Sequence, residues 1–179
     1  MKINEIIVND YLTKSKLILR DIDLLKQIKN VTVSVSINSL SEKFKNDMDN
    51  ASSIKERLET LKKLHECGIH TVLFMSPIFP YITEWKEIIE ISKEYVDEYW
   101  FENLNLRGNY KKEILDYIKE KYNELYSKYL DIYVNKNNIY WTKLADEINN
   151  FCEENKIKYI NYFYHKELVE KKKNEARKK

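Results

Sequence analysis

Few side chains in this sequence have the type and spacing that bond-making chemistry needs. The two cysteines, Cys67 and Cys152, lie far apart with no CxxC spacing. That argues against a disulfide framework and for a reducing cytoplasm. The three histidines, His65, His70 and His165, show no metal-ligand spacing and read as structural or surface residues. No Gly-rich loop follows any strand, so the sequence contains neither a dinucleotide fingerprint nor a P-loop. Two stretches remain, and both suit binding. In VTVSVSI, Val31 to Ile37, strict alternation sets the hydroxyls of Thr32, Ser34 and Ser36 on one face and the valines on the other. In TVLFMSPIFPY, Thr71 to Tyr81, both prolines of the chain sit within four residues of each other. A proline ends a strand by removing a backbone donor and fixing φ, and the residue before it is held extended. The expected result is a stiff loop whose main chain can face a flat ligand, although an ordinary strand exit and a polar sheet face account for the same residues.

The elements that must position these stretches alternate. Ile6 to Thr13 reads as a strand, Arg20 to Ile28 as a helix and Val31 to Ile37 as the clearest strand. A polar segment with a short helix near Glu42 to Asp47 follows. Ser53 and Glu56 have capping-box spacing at the start of a helix whose buried stripe is Ile54, Leu58, Leu61 and Leu64, and Gly68 follows as its C-terminal cap. Thr71 to Met75 is the next strand, then a helix from Thr83 or Glu84 to about Lys93, then the strand-like Val96 to Glu102. Tyr110 to Leu130 and Ile139 to Glu154 read as helices, and Ile157 to Tyr164 as the last strand. Such alternation demands parallel strands with right-handed crossovers, either in an open doubly wound sheet or in part of a (β/α)-barrel. Ligands of such folds bind at the carboxyl ends of the strands, where Ser76 to Pro80 lies.

With 179 residues, the chain is long enough for one domain with a sizeable core. A net charge of +2 does not demand a polyanion, although Lys171, Lys172, Lys173, Arg177, Lys178 and Lys179 crowd the C-terminus. They read as a solvated tail. No apolar run approaches the roughly 20 residues that a membrane span needs, and MKINEIIVND lacks the architecture of a signal peptide. A cytoplasmic protein with no membrane partner is expected.

In this order, the turn LTKS, then SVSINSL, ASSIKERLETLKKLHECGI and HTVLFMSPIFPYIT, resemble the C-terminal half of a radical S-adenosylmethionine (radical SAM) protein of the spore photolyase-like branch. EYWFENLNLRGNY resembles the strand exit that follows. The resemblance covers nearly the whole chain. It implies an α/β fold: a partial (β/α) barrel of TIM type with about five parallel strands and outer helices. Residues 1–165 would be the C-terminal part of that barrel domain and 166–179 a basic, frayed tail.

The resemblance also implies a site, with S-adenosylmethionine lying across the carboxyl edge of the barrel. Lys14 matches the lysine that meets the methionyl carboxylate, a sensible point-charge partner. Ser36 matches a serine at the same end of the ligand, and Arg57 a helix arginine that points toward the carboxylate side. Met75, Ser76 and Ile78 match the loop whose backbone cradles adenine. Glu102, Asn103 and Asn105 fall where the next strand meets the site. The sequence departs from the family at MDNASS, where relatives often carry a proline and an arginine. It departs more seriously in lacking CxxxCxxC, whose three thiolates hold the family's [4Fe–4S] cluster. Cys67 and Cys152 are no substitute. No catalytic residue and no metal ligand is therefore assigned. The expectation is a fragment that is inactive alone and completed by a separately encoded N-terminal half carrying CxxxCxxC. The alternative is a non-catalytic α/β binding domain. The complete family reductively cleaves S-adenosylmethionine to a 5′-deoxyadenosyl radical. The branch suggests lesion repair on nucleic acid, which no residue here establishes.

Overall fold

The alternation in VTVSVSI makes a strand because β-branched residues suit the pleat and one apolar face can be buried. In the computed structural model, which describes residues 9–163, this stretch is β2, Val31–Ser36. On one side it pairs with β1, Asn9–Thr13, and on the other with β3, His70–Ile78. β4, Glu98–Asn103, and β5, Tyr159–Asn161, continue the sheet. All neighbours are parallel and the spatial order is the chain order. When every strand lies beside its predecessor, right-handed crossovers place all connecting helices on the same face. The sheet is therefore wound one way, as in a barrel, and stays open.

The crossover from β1 to β2 holds a 3-10 helix, Lys16–Asp21, and α1, Ile22–Leu25. That from β2 to β3 holds α2, Glu42–Met48, and α3, Ile54–Glu66. Then come α4, Trp85–Ser92, between β3 and β4, and α5, Gly108–Lys121, α6, Asn123–Tyr133, and α7, Ile139–Glu154, before β5. α3 begins with the expected capping box: Ser53 Oγ accepts from Glu56 N at 3.2 Å and the Glu56 carboxylate accepts from Ser53 N at 3.0 Å. It ends before Gly68, whose φ of +74° suits glycine. No helix among the described residues is long and apolar enough to cross a membrane.

The two faces of the sheet differ in chemistry. Val33, Val35, Leu73, Met75, Tyr99 and Phe101 are buried with Phe44, Leu61, Leu64, Ile88 and Ile148 of the helical layer. On the opposite face, register aligns Leu12, Ser34, Val72 and Glu98 in one row and Ser36, Phe74, Trp100 and Ile160 in the next. The right-handed crossovers leave this face without a helical layer of its own, although Ser34 and Val72 on it are fully buried. The rings of Phe74, Trp100 and Tyr162 meet edge-on there, 5.8–6.3 Å apart.

Three expectations about the elements change. Pro77 does not end its strand: β3 continues to Ile78, and an irregularity in register between Met75 and Ile78 accommodates the missing donor. The stretch from Tyr110 to Leu130 is two helices, broken at Tyr122 (φ −140°, ψ 53°). The Tyr122 ring packs against Phe44 and Tyr117 there, a tertiary contact without a glycine or proline to announce it. β5 spans Tyr159–Asn161 only. The proposed start of the first strand at Ile6 and the basic tail lie outside the described residues.

Candidate functional site

At the carboxyl ends of β1, β2 and β3 the open face sinks into a cavity of about 350 Å³ lined by Leu12, Thr13, Lys14, Ser36, Phe74 and Ser76. Three of the six residues expected at a site, Lys14, Ser36 and Ser76, therefore meet on one wall. Each arrives there for a local reason. Lys14 is the first residue past β1. Ser36 is the last of β2, on its hydroxyl face. Ser76 lies within the irregularity of β3 between Met75 and Ile78. The Ser36 hydroxyl donates to the Ser76 carbonyl at 3.1 Å, tying two strand ends together. The Ser76 hydroxyl donates to Glu102 at the end of β4.

The other three do not line the cavity. Met75 and Ile78 point into the helical layer and are buried there. Arg57 is 1% exposed. Its Nε donates to Ser52 O at 2.8 Å, its Nη1 to Ser36 O at 3.1 Å and its Nη2 to Asp49. Each edge of the guanidinium is spent inside the protein, so Arg57 braces the carbonyl of Ser36 from behind. The loop main chain is also largely committed. Ile78 O accepts from Leu104 N at 3.2 Å, Pro80 O from the Tyr129 hydroxyl at 3.0 Å, and Phe79 N donates to Thr83 Oγ at 2.9 Å.

Electrostatics at the rim centre on Asp49, which sequence reasoning passed over. Its carboxylate lies 3.3 Å from Lys14 Nζ and accepts from Ala51 N at 3.0 Å. Burial raises its pKa, but the hydrogen bonds from Arg57 and Ala51 and the charges of Arg57 and Lys14 outweigh that and hold it below the ordinary range. Ala51, Lys45 and Arg57 lie within eight residues of it, but the partner that ties it to the cavity, Lys14, lies 35 residues away, so the sequence gives no sign of that role. Phe74 was likewise not singled out, yet strand alternation from Val72 places it on the open face. Asn105 instead accepts from Arg107 Nε at 3.1 Å, and Asn103 pairs in register with Ile78.

A second cavity, of about 740 Å³, lies on the helical side, where Tyr81 packs on Tyr140 with ring centroids 4.7 Å apart and Lys128 Nζ lies 4.4 Å from the Tyr81 ring. It shares no residue with the first.

The arrangement described so far is an open one-way sheet with polar strand ends around a small cavity. Comparison with known families decides what it is, for the model of the Radical SAM superfamily matches residues 2–94. The chain belongs to the radical SAM superfamily. An uncharacterized protein of Methanocaldococcus jannaschii is 33% identical over 147 residues, 82% of this chain and 54% of that protein. An uncharacterized protein of Acidianus two-tailed virus is 39% identical over 106 residues, 54% of this chain and 35% of that protein. The chain thus spans about half or less of the length of these curated relatives. Among solved structures, Streptococcus suis SuiB bound to S-adenosylmethionine superposes with a TM-score of 0.55 at 13% identity, covering 85% of this chain and 32% of SuiB. A second SuiB structure gives 0.56 over the same shares. At that identity the likeness is one of fold.

The superfamily implies an iron–sulfur cluster and S-adenosylmethionine, and the residues here fit the two unequally. Cys67 is the C-cap of α3, before β3 begins, and so sits at the amino edge of the sheet, opposite the cavity. Cys152 is buried in α7, where burial pushes its thiol up to about 11, away from the thiolate that iron requires. Among the described residues no group of three or more His, Cys, Asp or Glu side chains could hold a metal ion. These residues do not fit a cluster. The cavity does offer an ammonium, hydroxyls and a ring edge, which suit a small molecule with an anionic end and an apolar body.

Proposed function

We propose that this chain is the S-adenosylmethionine-binding part of a radical SAM protein whose complete form reductively cleaves S-adenosylmethionine to a 5′-deoxyadenosyl radical. In this reading the CxxxCxxC cysteines come from a polypeptide segment other than the described residues, such as a separately encoded N-terminal half. The observation that carries the reading is the convergence of Lys14, Ser36 and Ser76, drawn from three strand ends, on one cavity at the carboxyl edge of a one-way sheet. Lys14 would hold the ligand's carboxylate, and Ser36 and Ser76 would orient it through their hydroxyl oxygens. Arg57 keeps the end of β2 in place without touching the ligand.

The substrate belongs to the same proposal. The order of motifs supports the spore photolyase-like branch, and with it a lesion in nucleic acid. Phe74, Trp100 and Tyr162 give the open face a surface for stacking a base. Asp10, Glu98 and Glu102 would oppose phosphates there, so the group recognised would be the damaged base and not the backbone.

Calorimetric titration of the chain with S-adenosylmethionine tests the binding half of the proposal. An exposed charge contact at Lys14 is worth about 1 kcal/mol or less, and a shielded charged hydrogen bond about 1.5–3 kcal/mol. After the cost of immobilising the ligand, affinity should be near millimolar, about −4 kcal/mol. Lys14→Ala and Ser36→Ala should each weaken it, and the pair should abolish it. Micromolar binding that survives the double substitution would place the ligand elsewhere and overturn the assignment.

A further inference from the structure

One carboxylate behind the cavity serves three cations. Asp49, the residue that ends α2, accepts from Arg57 Nη2 and lies 3.3 Å from Lys14 Nζ and 3.8 Å from Lys45 Nζ. Arg57 and Lys45 are buried, with side chains 1% and 5% exposed, whereas that of Lys14 is 39% exposed and lines the cavity. Nearby carboxylates are engaged elsewhere. Glu42 accepts from Ile54 N at 2.7 Å, Asp47 accepts from the Tyr117 hydroxyl at 2.8 Å, and Glu56 pairs with Lys16 while closing the cap of α3. In direct ion contact, three positive charges face the one carboxylate of Asp49. Asp49 therefore does not neutralise Lys14, because Arg57 already claims its charge. What it supplies is an acceptor at a defined point.

We propose that Asp49 is a positioning residue for ligand binding: held by the buried Arg57, it tethers the ammonium of Lys14 at the mouth of the cavity. The inference rests on the reading above in which Lys14 contacts the ligand. Lysine has among the largest rotamer freedoms of any side chain, so an untethered ammonium must be ordered by the ligand itself. Asp49 removes that cost in advance. It also joins the site to the fold, because the guanidinium that holds Asp49 holds the carbonyl of Ser36 as well.

Asp49→Asn separates tethering from charge. The amide oxygen can still accept from Arg57, but the second acceptor for Lys14 is lost. The substitution removes one negative charge beside Lys14, so charge alone would tighten binding of an anionic ligand. Tethering predicts the reverse: S-adenosylmethionine binding weakened about fivefold, the scale of one partly exposed ion pair. In a Lys14→Ala background the same substitution should change nothing, since a residue acting through Lys14 has no effect once Lys14 is gone. Unchanged or tighter binding, or an equal loss in both backgrounds, overturns the proposal. A second readout needs no ligand. Pulse acetylation followed by mass spectrometry should show Lys14 reacting severalfold faster in Asp49→Asn, and an unchanged rate overturns the tether. If the wild type shows no Lys14-dependent binding, the functional reading has failed and the labelling arm alone decides the role of Asp49. Should Asp49→Asn fail to fold, Asp49→Glu, which keeps the charge and displaces the acceptor, is read in the same two assays.

Discussion

Replacing Arg57 with alanine should be among the most damaging single changes in this chain, although Arg57 does not line the cavity. Its side chain is 1% exposed and donates to Ser52 O, Ser36 O and Asp49. Truncation takes the buried guanidinium from the Asp49 carboxylate, which keeps Lys14, Lys45 and the Ala51 amide, and leaves the carbonyl of the buried Ser36 without that donor. Breaking a buried pair by removing one partner costs about 3–5 kcal/mol. Against a total stability of about 5–15 kcal/mol for a typical domain, that is a large share. For a chain of this size it corresponds to a fall in Tm of about 6–20 °C. Urea and thermal unfolding followed by circular dichroism, run on wild type, Arg57→Ala and Arg57→Lys, would measure it. Arg57→Lys should fall between the other two, because it keeps the charge but loses the three-way fork. The cost should also depend on pH in one direction. In the wild type Asp49 titrates below its ordinary value, so its contribution is complete above that value and is lost as pH falls through the folded one. Without Arg57, its hydrogen bond and its charge no longer help to hold the carboxylate ionised, so Asp49 protonates more readily than in the wild type. The stability gap between wild type and Arg57→Ala should therefore be widest near neutral pH and should narrow as pH drops below about 4. A cost under about 1 kcal/mol at pH 7, or a gap that widens on acidification, would show that the Arg57–Asp49 pair does not brace the strand end.

Four further outcomes are expected. Anaerobic reconstitution of the chain with iron and sulfide should give no stoichiometric [4Fe–4S] spectrum, and native thiol labelling should reach Cys67 but not the buried Cys152; a full cluster spectrum from this chain alone would overturn the ligand argument. Gly68→Ala should lower stability by about 1–2 kcal/mol in urea titrations, because φ is +74° there, whereas Ser53→Ala should cost about 1 kcal/mol by opening the capping box; a neutral Gly68→Ala would contradict the left-handed cap.

Features that depend on near neighbours along the chain are legible in the order of amino acids. Alternation in Val31 to Ile37 named the buried and hydroxyl faces of β2, and Val33, Val35 and Ile37 are indeed buried on one side while Ser34 and Ser36 bond on the other. Ser53, Glu56 and Gly68 marked both ends of α3, because a cap is satisfied within a few residues. The order of strands and helices was enough to demand parallel pairing, which the sheet bears out. Choosing the one-way barrel winding over a doubly wound sheet required family likeness at the level of sequence and strand order at the level of structure. Which polar residues share a wall becomes apparent once the chain is folded. Lys14, Ser36 and Ser76 are separated by whole crossovers and meet because parallel strands end at the same edge. Arg57 and Lys14 look alike in the sequence as candidate anion partners, yet one is buried in three internal hydrogen bonds and the other opens to the cavity. The pairing of Asp49 with Lys14 carries no local signature, because an ion pair across 35 residues is a property of the fold and leaves no period or cap to read.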